Sequence, residues 1–179
     1  MTELVYFAYG SNMLRERLDA RCPNVRPAGN AVLHEHRLTF DQFSHVDASG
    51  KGGIVPAPGS RVPGVLWILP VSDLPALDAA ESAGRGYQRV SVPVTREQGD
   101  VCEVITYRPI DLRSGLKPWD WYLALVVAGA EQHELPDAYV QRLRETPSAA
   151  DPEAERPGRL AALDALRRAD AQMLDARSA

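Results

Sequence analysis

Apolar residues along the chain follow two different spacings, and those spacings predict its elements. Residues 4–7, LVYF, form a short continuous apolar run, the pattern of a buried strand, which stops at Gly10-Ser11-Asn12. Beyond the stop, Leu14, Leu18 and Cys22 recur at helical spacing. The stretch therefore reads as strand, tight turn and helix. Gly10 is expected to take backbone angles closed to other residues, and Ser11 and Asn12 are expected helix N-caps. Several main-chain N–H groups would then converge at a helix start, a place that favours anions and carbonyl oxygens.

Residues 22–30 are rich in Pro, Gly and Asn and read as a loop. Residues 31–40 read as a strand. Residues 41–53 read as a flexible connection that re-enters a sheet at Gly52-Gly53-Ile54-Val55. Residues 65–69, VLWIL, are apolar at every position and predict a strand buried on both faces. Ser72 is an expected cap for a helix over 73–83, with Pro75 in its first turn. On that helix Leu74, Leu77 and Glu81 fall at i, i+3 and i+7, so a carboxylate shares a face with two leucines. Residues 87–95 and 100–107 are β-rich, are separated by a polar turn and predict a hairpin.

Two helices are expected over 118–131 and 135–146, then a linker over 146–158. Residues 160–174 are amphipathic, with Leu160, Leu163, Leu166 and Met173 on one side. Strands with inserted helices, without regular alternation, predict an α+β fold whose short strands can close into a small mixed β-barrel with flanking helices. The expected organisation is one domain over 1–146. Residues 147–179 would follow as a linker and a C-terminal helix docked on the same domain.

Composition narrows the function classes. A net charge of −4 over 179 residues carries no nucleic-acid footprint. The longest apolar run, residues 122–130, is too short to span a bilayer. The start of the chain lacks the charged and apolar regions of a secretory signal, so a cytoplasmic protein is expected. Cys22 and Cys102 give neither a disulfide framework nor zinc spacing, which fits a reducing compartment.

Glu81 is the leading candidate for chemistry. An acid on an apolar helix face is desolvated, which raises its pKa toward the range useful for proton transfer. The competing reading is a helix-end glutamate in water. His34 and His36 would share a strand face, but no further ligand sits at metal spacing, so no metal is expected. His45 and His133 read as surface residues. Ser11 lacks the second glycine of G-x-S-x-G and is not an expected nucleophile. Arg15, Arg17 and Arg21 read as a solvated helix face. Tyr107 and Tyr122, judged alone, read as core or pocket wall.

Four stretches together resemble the γ-glutamylcyclotransferase family: FAYGSNM at 7–13, GGI at 52–54, LDAAESAGRGYQRV at 77–90, and YLALVVAGA at 122–130 with LPDAYVQRL at 135–143. In the third stretch Tyr87 and Arg89 also keep the family's spacing. One position departs from the pattern: the family usually has Gly directly after its catalytic glutamate, and here Ser82 stands there.

The resemblance implies a barrel with flanking helices and a cyclisation of γ-glutamyl amides to 5-oxoproline. It implies Glu81 as general acid/base, and Tyr9, Gly10, Ser11, Asn12, Tyr107 and Tyr122 as substrate-binding residues. It implies no cofactor, a small-molecule substrate, no nucleic-acid or membrane partner, and a monomer or homodimer. Two alternatives stand beside it: a non-catalytic small-molecule binder on the same fold, and a hydrolase releasing free glutamate.

Overall fold

The computed structural model describes residues 2–178, with side chains described as far as residue 172. Five strands close into a barrel in the order β1-β3-β2-β4-β5. They are β1 (Glu3–Ala8), β2 (Arg26–Phe43), β3 (Gly50–Pro70), β4 (Tyr87–Arg96) and β5 (Val101–Pro109). All neighbours are antiparallel except β1 and β5, which meet in parallel at Tyr6 and Ile105. That seam has few ladder bonds, and the Thr106 hydroxyl adds one by donating to the Phe7 carbonyl at 2.8 Å. Five helices flank the barrel: α1 (Arg15–Asp19), α2 (Leu74–Ala80), α3 (Asp120–Gln132), α4 (Asp137–Arg144) and α5 (Pro157–Ser178).

The two-residue period of a strand sorts side chains into two cores. Phe7, Leu33, Val62, Leu66, Val94 and Val104 come from all five strands and fill the barrel. Tyr6, Ala8, Val65, Trp67 and Leu69 point the other way and pack beneath the helices. This is why residues 65–69 are apolar throughout: the strand is buried on both faces, as its pattern predicts. The 87–95 and 100–107 hairpin also forms, with Tyr87 opposite Pro109 and Thr95 opposite Val101.

The strands are longer than their hydrophobic patterns suggest. Residues 26–30 and 56–64, despite their Pro and Gly, belong to β2 and β3. Register shifts at Pro27/Asn30, His34/His36 and Thr39/Gln42 absorb the irregular residues. The expected flexible connection over 41–53 shrinks to residues 44–49, pinned by Asp47, whose Oδ1 accepts from the Ser49 amide and hydroxyl. At one shift Glu35 takes φ 57°, which breaks the period between His34 and His36. The His36 ring instead bonds the His34 carbonyl at 2.8 Å. His133 does not lie free on the surface: it packs edge-on against Trp67, with ring centroids 5.2 Å apart.

Helix packing also departs from expectation at the C-terminal end. The face of α5 that enters the core carries Ala162, Ala165 and Ala169, all at most 2% exposed, while Leu160 is 45% exposed. Small side chains let the helix axis approach α1 and α3 closely, and Leu166 only flanks the contact. The Met173 side chain, placed with the leucines by periodicity, lies outside the described residues. The linker is tied down by Asp151, whose enclosed carboxylate accepts from Trp121 Nε1 at 2.9 Å and Arg156 Nε at 2.7 Å.

Candidate active site

The turn after β1 is built differently from a capped helix. Ser11–Met13 form one 3-10 turn, closed by the Met13 amide donating to the Gly10 carbonyl at 3.0 Å. α1 then starts after Leu14, with no side-chain cap. Gly10 has φ −117°, outside the left-handed region, so positive φ is not its role. A Cβ there would meet the Tyr122 hydroxyl at 3.4 Å, near ordinary contact distance. Ser11 and Asn12 do not cap. Their amides are the first of the turn and have no partner within it. Leu14, Leu18 and Cys22 are fully buried, as their spacing predicts.

The Asn12 side chain, 3% exposed, reaches across to α2 instead. Its Nδ2 donates to Glu81 Oε1 at 2.9 Å and to the Tyr6 hydroxyl at 3.0 Å. Its Oδ1 accepts from Arg21 Nη1 at 2.7 Å. The same Nη1 lies 2.8 Å from Glu81 Oε1, in an ion pair with little solvent exposure. Arg21 is therefore no part of a solvated face. Glu81 is not surrounded by leucines either: Leu77 is fully buried below it, but its carboxylate meets an amide and a guanidinium. Both donors use Oε1, and Oε2 accepts no hydrogen bond among the described residues.

Glu81 owes its position to the end of α2. The helix starts without a side-chain cap, since Asp73 and not Ser72 precedes it. It ends with Ser82 donating to the Ala79 carbonyl at 3.1 Å and Ala83 to the Asp78 carbonyl at 2.9 Å. This is a Schellman arrangement, whose residue after the cap must be left-handed. That residue is Ser82, with φ 49°. The physical reason for a glycine at this position is thus visible, and the serine holds the same backbone at some strain.

Tyrosines wall the pocket around Glu81. Gly52 on β3 joins two of them: its amide donates to the Tyr122 hydroxyl at 3.0 Å, and its carbonyl accepts from the Tyr87 hydroxyl at 2.7 Å. Tyr9 donates to the Tyr107 carbonyl. The Tyr107 hydroxyl donates to Asp78 at 2.6 Å, and Asp78 also pairs with Arg89, tying α2 to the barrel. Burial pushes the Tyr6, Tyr9, Tyr87 and Tyr122 hydroxyls upward, and the Glu81 charge adds to the shift. Tyr107 is raised by burial and by Asp78. All five stay protonated at neutral pH.

Two adjacent cavities result. The inner one is lined by Tyr9, Gly10, Ser11, Asn12, Tyr107 and Tyr122, all expected from sequence, and also by Tyr6, Gly52, Tyr87 and Glu81. Tyr6 and Arg21 are the residues that sequence reasoning missed. The second cavity, about 320 Å³, shares Ser11, Glu81, Tyr87 and Tyr122 with the first and extends toward Arg17, Lys51 and Trp121. Within it the Lys51 ammonium lies 2.6 Å from Asp47 and over the rings of Trp121 and Tyr122. No group of three or more metal-ligating side chains occurs among the described residues. No helix among them is long and apolar enough to cross a membrane.

Comparison with known proteins places this architecture. Residues 61–143 match the AIG2-like family. The chain is 31% identical to a γ-glutamylcyclotransferase of Homo sapiens over 145 residues, 78% of this chain and 77% of that protein. It is 30% identical to the mouse (Mus musculus) γ-glutamylcyclotransferase over 145 residues, with the same coverage. A solved γ-glutamyl cyclotransferase superposes with a TM-score of 0.81 at 27% identity, covering 88% of this chain and 96% of the other. An uncharacterised human protein superposes with a TM-score of 0.77 at 29% identity, covering 83% and 90%. The chain belongs to the γ-glutamylcyclotransferase family and is an enzyme.

Proposed function

We propose that this enzyme cyclises a γ-glutamyl amide to 5-oxoproline and releases the amine, with Glu81 as general acid/base. One observation carries the reading. Among the residues lining the inner pocket, Glu81 is the only carboxyl or imidazole, and the remaining ionisable walls are tyrosines held protonated. The reaction needs one proton shuttle and no outside nucleophile. The substrate's own α-amine attacks the γ-carbonyl, so a C–N bond forms in the five-membered ring and the original amide C–N bond breaks.

In this reading the glutamyl part occupies the inner pocket, against Tyr9, Gly10, Ser11, Asn12, Tyr107 and Tyr122. Holding the chain folded supplies much of the rate, because ring closure is intramolecular. The Glu81 carboxylate takes a proton from the α-ammonium through its free Oε2 and returns it to the departing nitrogen. The α-ammonium loses two protons in all. The leaving amine gains one as its bond breaks and a second once it is in water, so the reaction is balanced without a co-reactant. The orphan amides of Ser11 and Asn12 are suited to the oxyanion that develops on the γ-carbonyl oxygen.

The test is a panel of γ-glutamyl amides scored for 5-oxoproline by mass spectrometry. Each substrate is paired with its N-acetyl counterpart. Free-amine substrates should yield 5-oxoproline and the acetylated ones nothing. Equal turnover of both, or release of free glutamate, would overturn the cyclisation.

A further inference from the structure

The segment between α4 and α5 meets the site at the start of α3. That helix brings Trp121 and Tyr122 to the cavity walls, yet it begins at Asp120 with no capping side chain on Trp119. The first amides of a helix need acceptors from elsewhere. Here the later segment supplies one: the Asp120 amide donates to the Ala149 carbonyl at 2.8 Å. The Ala149 amide in turn donates to the Pro118 carbonyl at 3.0 Å.

Asp151 completes the joint. Its carboxylate is wholly enclosed and accepts from Trp121 Nε1 at 2.9 Å, Arg156 Nε at 2.7 Å and the Glu153 amide at 3.0 Å. A buried indole N–H needs an acceptor, and a charged one holds it more firmly than a neutral one. The Trp121 ring carries the Lys51 ammonium 4.7 Å from its centroid. Lys51 also lies 4.6 Å from the Tyr122 ring centroid and pairs with Asp47 at 2.6 Å. A series of contacts thus runs from Arg156 and Asp151 through Trp121 and Lys51 to Asp47, in the 44–49 connection. Gly158 at the start of α5 lines the second cavity beside them, and a Cβ there would meet Trp121 at 3.6 Å.

Trp121 is followed directly by Tyr122, and Lys51 by Gly52. The Gly52 amide donates to the Tyr122 hydroxyl at 3.0 Å, and both residues line the inner pocket. What anchors Trp121 and Lys51 therefore anchors their pocket-lining neighbours through the shared backbone. We propose that Asp151 is a positioning residue of the active site. Through Trp121 and Lys51 it holds Tyr122 and Gly52 in place, so the C-terminal segment belongs to the binding pocket and is more than a tether for α5. The role of Tyr122 in binding substrate rests on the cyclotransferase reading of the site. The side-chain bonds of Glu81 run to Asn12 and Arg21 and to no member of this series, so the clasp bears on binding and leaves the proton shuttle alone.

Steady-state kinetics with γ-glutamylalanine test it, each protein being assayed well below its melting temperature. Asp151→Ala should raise KM roughly 5- to 10-fold, the scale of one hydrogen bond, with kcat nearly unchanged. Asp151→Asn still offers the indole an oxygen and should recover most of the loss. Trp121→Phe, which lacks the N–H, should raise KM as Asp151→Ala does, and the two substitutions together should raise it little further. A merely structural role would lower Tm and leave KM alone. That result, or a fall in kcat at constant KM, would overturn the proposal. A second readout needs no substrate. The chain has two lysines, and the exposed Lys117 serves as the internal reference for Lys51. Acetic anhydride should modify Lys51 faster in Asp151→Ala than in the wild type, with Lys117 unchanged. If the wild type gave no 5-oxoproline from γ-glutamylalanine, the cyclotransferase reading would fail by itself, and this labelling would decide about Asp151. Faster modification of Lys51 would uphold the positioning role, and equal rates would overturn it.

Discussion

Arg21 Nη1 stands 2.8 Å from Glu81 Oε1 across a sequence separation of 60 residues, and the Asn12 side chain bonds both partners. The guanidinium fastens one carboxylate oxygen while the other accepts nothing among the described residues. An acid/base group is useful only if its free oxygen is held where the proton must move.

Arg21 should accordingly act as a positioning residue. Arg21→Met leaves the Glu81 carboxylate held by Asn12 alone, and kcat should fall roughly 10- to 100-fold, the scale of a small misplacement. KM should change less than kcat, since the Arg21 Nη1 is already engaged by Glu81 and Asn12 and Arg21 does not line the inner pocket. Arg21→Lys should recover part of kcat, which a merely destabilised variant would not do. Steady-state kinetics on the three proteins decide it.

The two carboxylates of α2 and its cap should separate cleanly. Glu81→Gln preserves the Asn12 contact and removes proton transfer, so kcat should drop roughly 10²- to 10⁴-fold. Asp78 serves Tyr107 and Arg89 and lies outside the inner pocket. Asp78→Asn should lower the melting temperature while leaving far more activity. A dead Asp78→Asn beside an active Glu81→Gln would move the proton shuttle to Asp78.

Ser82 offers a test on stability. A left-handed backbone costs an ordinary residue about 1–2 kcal/mol. Ser82→Gly removes that strain but loosens the unfolded chain by about 0.4–1 kcal/mol. The balance predicts a rise in Tm of about 1–3 °C for a chain of this size. Ser82→Val, with a branched side chain at φ 49°, should fall well below the wild type. Thermal melts of the two variants give the comparison.

Asp151 should make the docking of the C-terminal helix acid-sensitive. Its bond from Arg156 holds it down to about 2, from an ordinary value of 3.8. The unfolded chain therefore binds the proton first as pH falls. Its contribution is complete above about pH 4 and disappears as pH drops toward 2. Melting curves of the wild type and Asp151→Asn should differ near neutrality and converge over that acid window.

Local pattern was enough wherever the physics is local. The apolar run at 65–69 requires a strand buried twice, the spacing of Leu14, Leu18 and Cys22 marks three buried positions although α1 spans only Arg15–Asp19, and the turn at 10–12 is legible because the apolar run stops there. Glu81 stood out for the same reason, as a carboxylate in register with leucines. Its actual surroundings were not legible, because Asn12 and Arg21 reach it only once β1, α1 and α2 meet beside the closed barrel. Tyr6 reads as ordinary strand filling until its hydroxyl meets Asn12.

The docking face of α5 carries Ala162, Ala165 and Ala169 and not its largest apolar residues, because small side chains let the helix lie close against α1 and α3. The length of β2 and β3 was hidden by Pro and Gly residues that the register shifts accommodate. The sequence by itself determined the doubly buried strand at 65–69, the hairpin over 87–107 and the turn after β1. Only the tertiary structure decided which charges meet, because ion pairs such as Arg21–Glu81 depend on chain segments that closure of the barrel brings together.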